Sequence, residues 1–254
     1  MARLISVFSC VLFLSSVCSA ANPILLFDGQ TLNGWTTQKG EPVTKGWEVI
    51  DGTIHLDIAN GRGGNILSDR DYGDFDLRFE WKISEGGNSG IKYRVKEFPG
   101  RGFLGCEYQI LDDEKHGDGK NEKTSTGSLY HVYAPTNKHL NPPGQFNHSR
   151  VVVSNNYVQH WLNGILILTA QIGSPDWEEK VADSKFHDVE GFGLNQQGRI
   201  MLTDHSSEVW YRNIYLYELN TCPPTVQVSA CRPNLCQPVK RRFRFSRLRF
   251  RRCR

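Results

Sequence analysis

One segment of the chain alternates apolar and charged residues without a break. Residues 75–83 read Phe-Asp-Leu-Arg-Phe-Glu-Trp-Lys-Ile, five apolar side chains separated by four charged ones. Successive side chains of a β-strand point to opposite faces, so this period of two predicts a strand with one buried face. Trp81 falls on the buried face and is expected in the core, whereas Glu80 falls on the charged face.

Turn residues separate many other short apolar runs. Asp51-Gly52, Asn155-Asn156 and Asn163-Gly164 each lie between two such runs and predict hairpins. No amphipathic helix of useful length is evident; the best candidate covers residues 176–185. Ten or more short strands in 254 residues predict one all-β domain, a sandwich or a barrel.

Residues 105–113 are predicted to form a strand with two different faces. Glu107 and Gln109 share one face, and Cys106 and Tyr108 take the other. This pattern favours a sheet that packs on one side and binds on the other, although an ordinary half-solvated strand fits as well. Cys106 is interpreted as a small buried hydrophobic residue rather than a nucleophile.

The amino terminus has the pattern of a secretion signal. Arg3 precedes an apolar run over residues 4–17 and the small-residue site Cys18-Ser19-Ala20. Residues 1–20 are therefore predicted to be a signal peptide, and the protein to be secreted or periplasmic. The run is short for a membrane anchor, and no other segment is predicted to cross a membrane.

The carboxyl terminus has a different composition. Residues 240–254 contain nine Lys or Arg and no acid; without these and Arg3, 20 basic residues face 27 acidic ones over residues 21–239, a net charge of −7. We predict a tail, disordered when alone, that binds an anionic envelope surface or the acidic domain. No specific nucleic acid is expected for an exported protein.

A Pro-containing linker over residues 221–239 precedes the tail. Four late cysteines are predicted to form disulfides, in any of three pairings: Cys222, Cys231, Cys236 and Cys253.

Motifs in the main domain match a known family in order. They are Leu26-Phe27-Asp28-Gly29, Leu32-Asn33-Gly34-Trp35, Phe79-Glu80-Trp81, Asn88-Ser89-Gly90-Ile91, Glu107 to Asp112, Gly127-Ser128-Leu129-Tyr130, Gly144-Gln145-Phe146-Asn147, His160 to Gly164, Ile200 to His205 and Arg212-Asn213-Ile214. Residues 21–220 thus resemble the 3-keto-disaccharide hydrolase domain family. The resemblance implies a concanavalin A-like jelly-roll sandwich of two antiparallel sheets with a concave carbohydrate-binding face. It also implies cleavage of glycosides oxidised at C3.

The chain departs from the family pattern at three positions. Thr203 replaces a glutamine, Ser206 a glycine and Phe146 a tryptophan. The missing glutamine removes a sugar hydrogen bond, unless the Thr203 hydroxyl binds through water.

In the predicted strand Glu107 and Asp112 are five residues apart and fall on opposite faces, so they do not form the acid pair of an ordinary glycosidase. The strand reads Glu107-x-Gln109-x-x-Asp112, with an amide at the middle position. A 3-keto glycoside needs only a base for the C2 proton, a group that stabilises the enolate and an acid for the leaving group. We assign the base to Glu107, and the acid or a metal-ligand role to His205.

Other polar residues are assigned to the substrate. Lys92 or Arg94 would polarise the ketone, and a divalent metal ion would be an alternative electrophile. Three side chains are expected to hold hydroxyls or a cation: Glu80, Gln109 and Asp204. Three aromatic residues are candidates for stacking on sugar, with core packing as the alternative: Tyr93, Tyr130 and Trp161.

Several of these residues have a structural interpretation as well. Glu80, Lys92 and Arg94 would pair across strands on a solvated face. By parity, one of Asp204 and His205 is expected to be structural. The acidic loop at residues 112–118 is interpreted as solvated rather than as a calcium site, because its spacing differs from that of an EF-hand.

Three functions therefore remain open. The first is an exported enzyme that cleaves 3-keto-glycosides by C2 proton abstraction, elimination and hydration. The second is a non-catalytic, lectin-like carbohydrate-binding module tethered by the basic tail. The third is an envelope protein whose domain only displays the tail.

Overall fold

The structure, a computed structural model, describes residues 22–219. Thirteen β-strands are the main elements of this range. In chain order they are β1 Ile24–Leu25, β2 Trp35–Thr37, β3 Trp47–Ile50, β4 Thr53–Leu56, β5 Ile66–Ser68, β6 Phe75–Ile83, β7 Asn88–Phe98, β8 Gly102–Leu111, β9 Asn147–Ser154, β10 Tyr157–Leu162, β11 Ile165–Gln171, β12 Arg199–Leu202 and β13 Val209–Glu218.

The strands form two antiparallel sheets. The large sheet has the order β11-β10-β9-β6-β13-β4-β3, with β1 paired to β13 as its eighth strand. The small sheet has the order β2-β5-β12-β7-β8. The predicted jelly-roll sandwich is confirmed.

The core lies between the two sheets and follows the period of two. On β6, Phe75 and Trp81 are buried with the other odd-numbered residues, as predicted. On β8, Cys106 and Tyr108 face this core. Burial raises the pKa of the Cys106 thiol to about 12, so the side chain stays protonated and packs as a hydrophobic residue.

The predicted hairpins are present. Asp51, Asn155 and Asn163 have φ values of 49°, 48° and 47°, in the left-handed region that these turns require. One short helix, α1 Pro175–Ala182, occupies the stretch that gave the best helical pattern, and the Ser174 side chain caps its first turn.

Several predictions concern residues outside the described range. The signal peptide (residues 1–20), the linker, its four cysteines and the basic tail all lie there. Within residues 22–219, no helix is long and apolar enough to cross a membrane.

His160 links the two sheets through a buried hydrogen-bond pair. Its Nε2 lies 3.0 Å from the Tyr93 hydroxyl of the small sheet, and its Nδ1 lies 3.0 Å from the Gly127 carbonyl. Burial lowers the pKa of His160 to about 4, so the folded protein keeps the ring neutral. The residue is structural and carries none of the chemistry proposed below.

This buried histidine predicts acid-sensitive stability. An unfolded histidine has a pKa of about 6.5, so between pH 6.5 and 4 the unfolded chain binds a proton that the folded chain does not. Stability is full above pH 6.5 and falls as the pH falls, by about 2 kcal/mol from pH 7 to pH 5. Urea unfolding at both pH values measures this difference.

The variant His160→Gln isolates the contribution of this ring. It should be less stable than wild type at pH 7, because the pair with Tyr93 is altered, but its pH 7 to pH 5 difference should be smaller by most of that amount. An unchanged difference in the variant would contradict the assignment to His160.

Candidate functional site

Glu107 is the centre of a polar cluster on the outer face of the small sheet. It alternates with the core residues of β8, so its side chain points away from the core, yet only 5% of it is exposed. Its Oε2 lies 3.6 Å from the Nζ of Lys92, the residue directly opposite on β7. Its Oε1 is buried and has no hydrogen-bond partner among the described residues. A buried carboxylate oxygen without a partner is costly, which points to a ligand group that completes the site.

A glycine makes room for this carboxylate. Gly90 lies beside Glu107 on β7, and a Cβ built on Gly90 would stand 2.4 Å from Glu107 Oε1. The backbone of Gly90 is held in turn by Thr203, whose amide and hydroxyl both contact the Gly90 carbonyl, at 3.1 and 3.3 Å. Thr203 is fully buried, so the predicted water-mediated sugar contact of its hydroxyl is wrong.

A loop segment extends the small sheet beyond β8 and brings Tyr130 to the cluster. The Tyr130 amide donates to the Glu107 carbonyl at 3.0 Å. The Tyr130 hydroxyl lies 3.3 Å from Asp118 Oδ2, and the Lys185 ammonium stands 4.0 Å from the centre of the Tyr130 ring. Glu107, Lys92, Tyr130, Asp118 and Lys185 therefore surround one region of this face.

His205 completes the cluster from the loop after β12. The residue is exposed to solvent on one side. Protein atoms surround the rest of its ring, and the resulting desolvation is the largest cause that lowers its pKa. The negative charge of Glu107 opposes this shift, and the positive charges of Lys92 and Lys185 add to it. The net effect favours a neutral imidazole at pH 7.

Lys185 and Tyr130 have shifted pKa values in the same region. Burial lowers the pKa of Lys185; Glu107 opposes the shift, and the like charge of Lys92 adds to it. Burial, with the charges of Asp118 and Glu107, raises the pKa of Tyr130. Lys185 is therefore a better proton donor than an ordinary lysine, and Tyr130 keeps its proton.

Gln109 lies on the same face as Glu107, as predicted. Its Nε2 donates a hydrogen bond of 3.1 Å to Asn88 Oδ1 on the neighbouring strand β7. The pair is mostly buried and fixes two amide groups beside the carboxylate.

The side chains of residues 22–219 do not gather into an evident metal site at the cluster. No group of three His, Cys, Asp or Glu side chains converges within residues 22–219. The cation beside Glu107 is the ammonium of Lys92. In the acidic loop, Asp112 accepts hydrogen bonds from the amides of Gly86 and Glu114, so its oxygens already have partners. No step below uses a metal, and the metal requirement stays a prediction.

Glu80 lies far from this cluster in the fold, which corrects its predicted role. It is on β6, and the outer face of β6 belongs to the large sheet on the opposite side of the sandwich. Its carboxylate accepts hydrogen bonds from Arg212 at 2.8 Å and Asn213 at 2.7 Å. Parity correctly placed it on a charged face but could not tell which sheet β6 would join. Trp161 lies on that same outer face, so it is no candidate for stacking in the Glu107 cluster.

Arg94 is also removed from the cluster. Although it is two residues from Lys92, the register of β7 shifts between Tyr93 and Lys96, and Arg94 has a φ of 50°. Its buried guanidinium donates to Asp74 at 2.6 Å and to Asn156 at 2.8 Å. The bulge redirects the side chain, so Arg94 is structural and does not polarise a substrate.

Asp204 is the structural member of the Asp204–His205 pair. Its carboxylate is fully buried and accepts hydrogen bonds from the amides of Gly64 at 2.9 Å and Ser206 at 2.8 Å. It therefore holds the glycine-rich loop and gives no free oxygen for a sugar hydroxyl. Tyr93 is fully buried, so core packing is its role.

Sequence reasoning missed Lys185, Asp118 and Asn88 as members of the cluster. Lys185 follows the end of α1 in a stretch without period, and only the packed loop brings it over Tyr130. Asn88 lies in the family motif Asn88-Ser89-Gly90-Ile91, and its place in that motif was the one indication in the sequence that it belongs to the site.

Comparison with known protein families identifies one that matches this chain. The model of the 3-keto-alpha-glucoside-1,2-lyase-like domain matches residues 22–217, nearly all of the described range. The chain belongs to this family. The resemblance inferred from the sequence motifs is thereby confirmed, and the Glu107 cluster lies on the small sheet of the lyase-like domain.

Two relatives of the lyase-like domain are informative. A 3-keto-disaccharide hydrolase of Bacteroides thetaiotaomicron is 32% identical over 224 residues, which cover 75% of this chain and 76% of that protein. A crystal structure from Parabacteroides distasonis, described as a glycosyl hydrolase, shares 34% identity with a TM-score of 0.71 and covers 78% of this chain and 94% of its own. A second structure from that organism, at 22% identity and a TM-score of 0.55, supports the fold alone.

Proposed function

We propose that the lyase-like domain is a carbohydrate-acting enzyme that cleaves the glycosidic bond of 3-keto-glycosides. The observation that carries the proposal is the buried carboxylate of Glu107, with one oxygen beside an ammonium and the other without a partner among the described residues. Family membership and the relative's name support the substrate class. Export of the protein remains part of the proposal.

The reaction starts at C2 of the oxidised sugar. Glu107 takes the C2 proton, and the C2–H electrons form the C1=C2 double bond as the C1–O bond to the aglycone breaks. Lys92, whose ammonium lies 3.6 Å from Glu107, would stabilise negative charge on the C3 oxygen. The leaving oxygen takes a proton, and water then adds across the double bond, with OH at C1 and H at C2.

The acid role moves from His205 to Lys185. A histidine with a lowered pKa is mostly unprotonated at pH 7 and has no proton to give, whereas Lys185 is an ammonium whose lowered pKa makes it release its proton more readily than an ordinary lysine. Lys185 is also held over the Tyr130 ring, beside the cluster. His205 in its neutral form is assigned to hydrogen bonding with the substrate, together with Tyr130 and Gln109.

A direct test compares one sugar in two oxidation states. The full chain is incubated with a 3-keto-glucoside and with the parent glucoside, and release of the aglycone is measured with and without a chelator. We expect release from the keto compound alone, because only its C2 proton is acidic. Equal cleavage of both compounds would contradict the mechanism. Binding of the sugar without release of the aglycone would favour the lectin-like alternative. Loss of activity with the chelator would show that a metal ion is required.

Gly90→Ala should impair this reaction without replacing an ionisable residue. The new Cβ would stand 2.4 Å from Glu107 Oε1, so the carboxylate must move. A base displaced by about 1 Å can lose roughly 10²-fold in rate, and kcat for the keto substrate measures this. Gly73→Ala is the matched control, because its Cβ would make no contact shorter than 3.5 Å. Equal kcat values for both variants would contradict the placement of the base.

A further inference from the structure

A second polar surface lies on the opposite side of the sandwich. A groove of about 330 Å³ crosses the outer face of the large sheet, within the size range of small-ligand sites. No part of the Glu107 cluster lines it. Apart from Gly164 in a turn, its residues belong to β6, β9, β10 and β13, which are neighbours in the large sheet.

Strand register places four side chains of this groove in one row. Trp161 is paired with Arg150, Arg150 with Arg78, and Arg78 with Tyr215. The row thus has an aromatic residue at each end and two guanidinium groups between them. Three inter-strand steps separate the ends by about 14 Å, which is longer than one sugar ring.

A buried carboxylate fixes both guanidinium groups. Asp76 accepts two hydrogen bonds from Arg150, at 2.7 and 2.9 Å, and two from Arg78, at 3.2 and 2.9 Å. Its side chain is only 9% exposed, whereas those of Arg150 and Arg78 are 35% and 42% exposed. Burial alone would raise the pKa of Asp76, but the hydrogen bonds from the two arginines outweigh it and lower the pKa.

The row therefore offers fixed hydrogen-bond donors that face solvent. An arginine has five N–H donors, and the bonds to Asp76 use only part of them. The Arg150 guanidinium also lies over one side of the Trp161 ring, 5.4 Å from its centre, and this contact holds the two groups together. The two arginines and Asp76 carry a net charge of +1. The neighbouring Glu80 is balanced by Arg212, so it does not cancel this charge.

We propose that this row is a second glycan-binding site, selective for an oligosaccharide that carries a carboxylate. A sugar ring would stack on Trp161, its hydroxyls would bind the planar guanidinium edges, and its carboxylate would match the net charge of the row. A single-stranded nucleic acid also uses aromatic and basic groups, but it requires a more positive groove than one whose arginines are accompanied by the carboxylates of Asp76 and Glu80.

Calorimetry with two disaccharides tests the proposal on the full chain. Cellobiouronic acid carries one carboxylate, and cellobiose is its neutral counterpart. We expect the acid to bind about tenfold more tightly at low salt, a difference that higher salt reduces. Equal affinities for the two sugars, or tighter binding of a short oligothymidylate, would overturn the proposal.

Three variants locate the binding. Trp161→Ala should weaken binding of the acid about tenfold, and Arg150→Met should remove the preference for it over cellobiose. If Trp161→Ala does not fold, the single variant Trp161→Phe replaces it. Phe keeps an aromatic surface for stacking and should retain most of the affinity, whereas Arg150→Met should still lose the preference for the acid. Lys92→Met, which removes the ammonium beside Glu107, should bind the acid as wild type does. Loss of binding in Lys92→Met, or full binding in Arg150→Met, would place the ligand elsewhere.

Discussion

Replacing Glu107 by Gln is expected to lower kcat on a 3-keto-glucoside by about 10³-fold, the scale of a general base. The amide keeps the size of the side chain but cannot accept the C2 proton. Substrate affinity should change little, because the neighbouring hydrogen-bonding groups of Tyr130 and Gln109 stay in place. Single-turnover kinetics together with equilibrium binding separate the two effects.

The matched control for this variant is Glu97→Gln. Glu97 is an exposed glutamate near the end of β7, the strand that pairs with β8, and has no assigned role. Its kcat should equal that of wild type. Thermal unfolding of both variants shows whether each is folded. A folded Glu107→Gln enzyme with normal turnover would rule out Glu107 as the base.

Replacing Arg94 by Met is expected to destabilise the fold by about 3 kcal/mol. The substitution removes the ion-pair partner of Asp74 and the hydrogen bonds to Asn156 and Gly73, all in a largely buried setting. Met keeps the unbranched stem of the side chain and meets the same backbone φ of 50° as Arg does. Urea unfolding measures the loss.

An exposed ion pair provides the control for Arg94. Arg70 pairs with Glu218 at 3.1 Å, with about half of each side chain exposed, so Arg70→Met should cost at most about 1 kcal/mol. The folded fraction of Arg94→Met should retain kcat, since Arg94 lies outside the Glu107 cluster. Near-normal stability combined with a large loss of kcat would instead restore Arg94 to the active site.

Local patterns in the sequence predicted most of the fold. Alternation identified β6, and the turn residues at Asn155 and Asn163 placed their hairpins, because both signals depend on residues next to each other in the chain. The pairing of Glu107 and Gln109 on one face followed from the same period of two. The fold class itself came from the motifs in family order.

The site was only partly predictable, because it depends on contacts between distant segments. Parity could not show that Glu80 belongs to the other sheet, and no local pattern indicated the bulge that turns Arg94 inward. Lys185 reaches the cluster only through packing on Tyr130, which is 55 positions away in the sequence. Parity predicted that one of Asp204 and His205 would be structural, but only the coordinates show that it is Asp204.

The central claim is that Glu107 removes the proton at C2 of an oxidised sugar. Its most direct test is cleavage of a 3-keto-glucoside labelled with deuterium at C2, in ordinary water. If elimination and hydration occur, turnover is slowed by the label and the released 3-keto sugar, quenched before it can exchange, carries hydrogen at C2. If the released sugar keeps its deuterium and the label does not slow the reaction, the glycosidic bond breaks without loss of the C2 proton and the account is wrong.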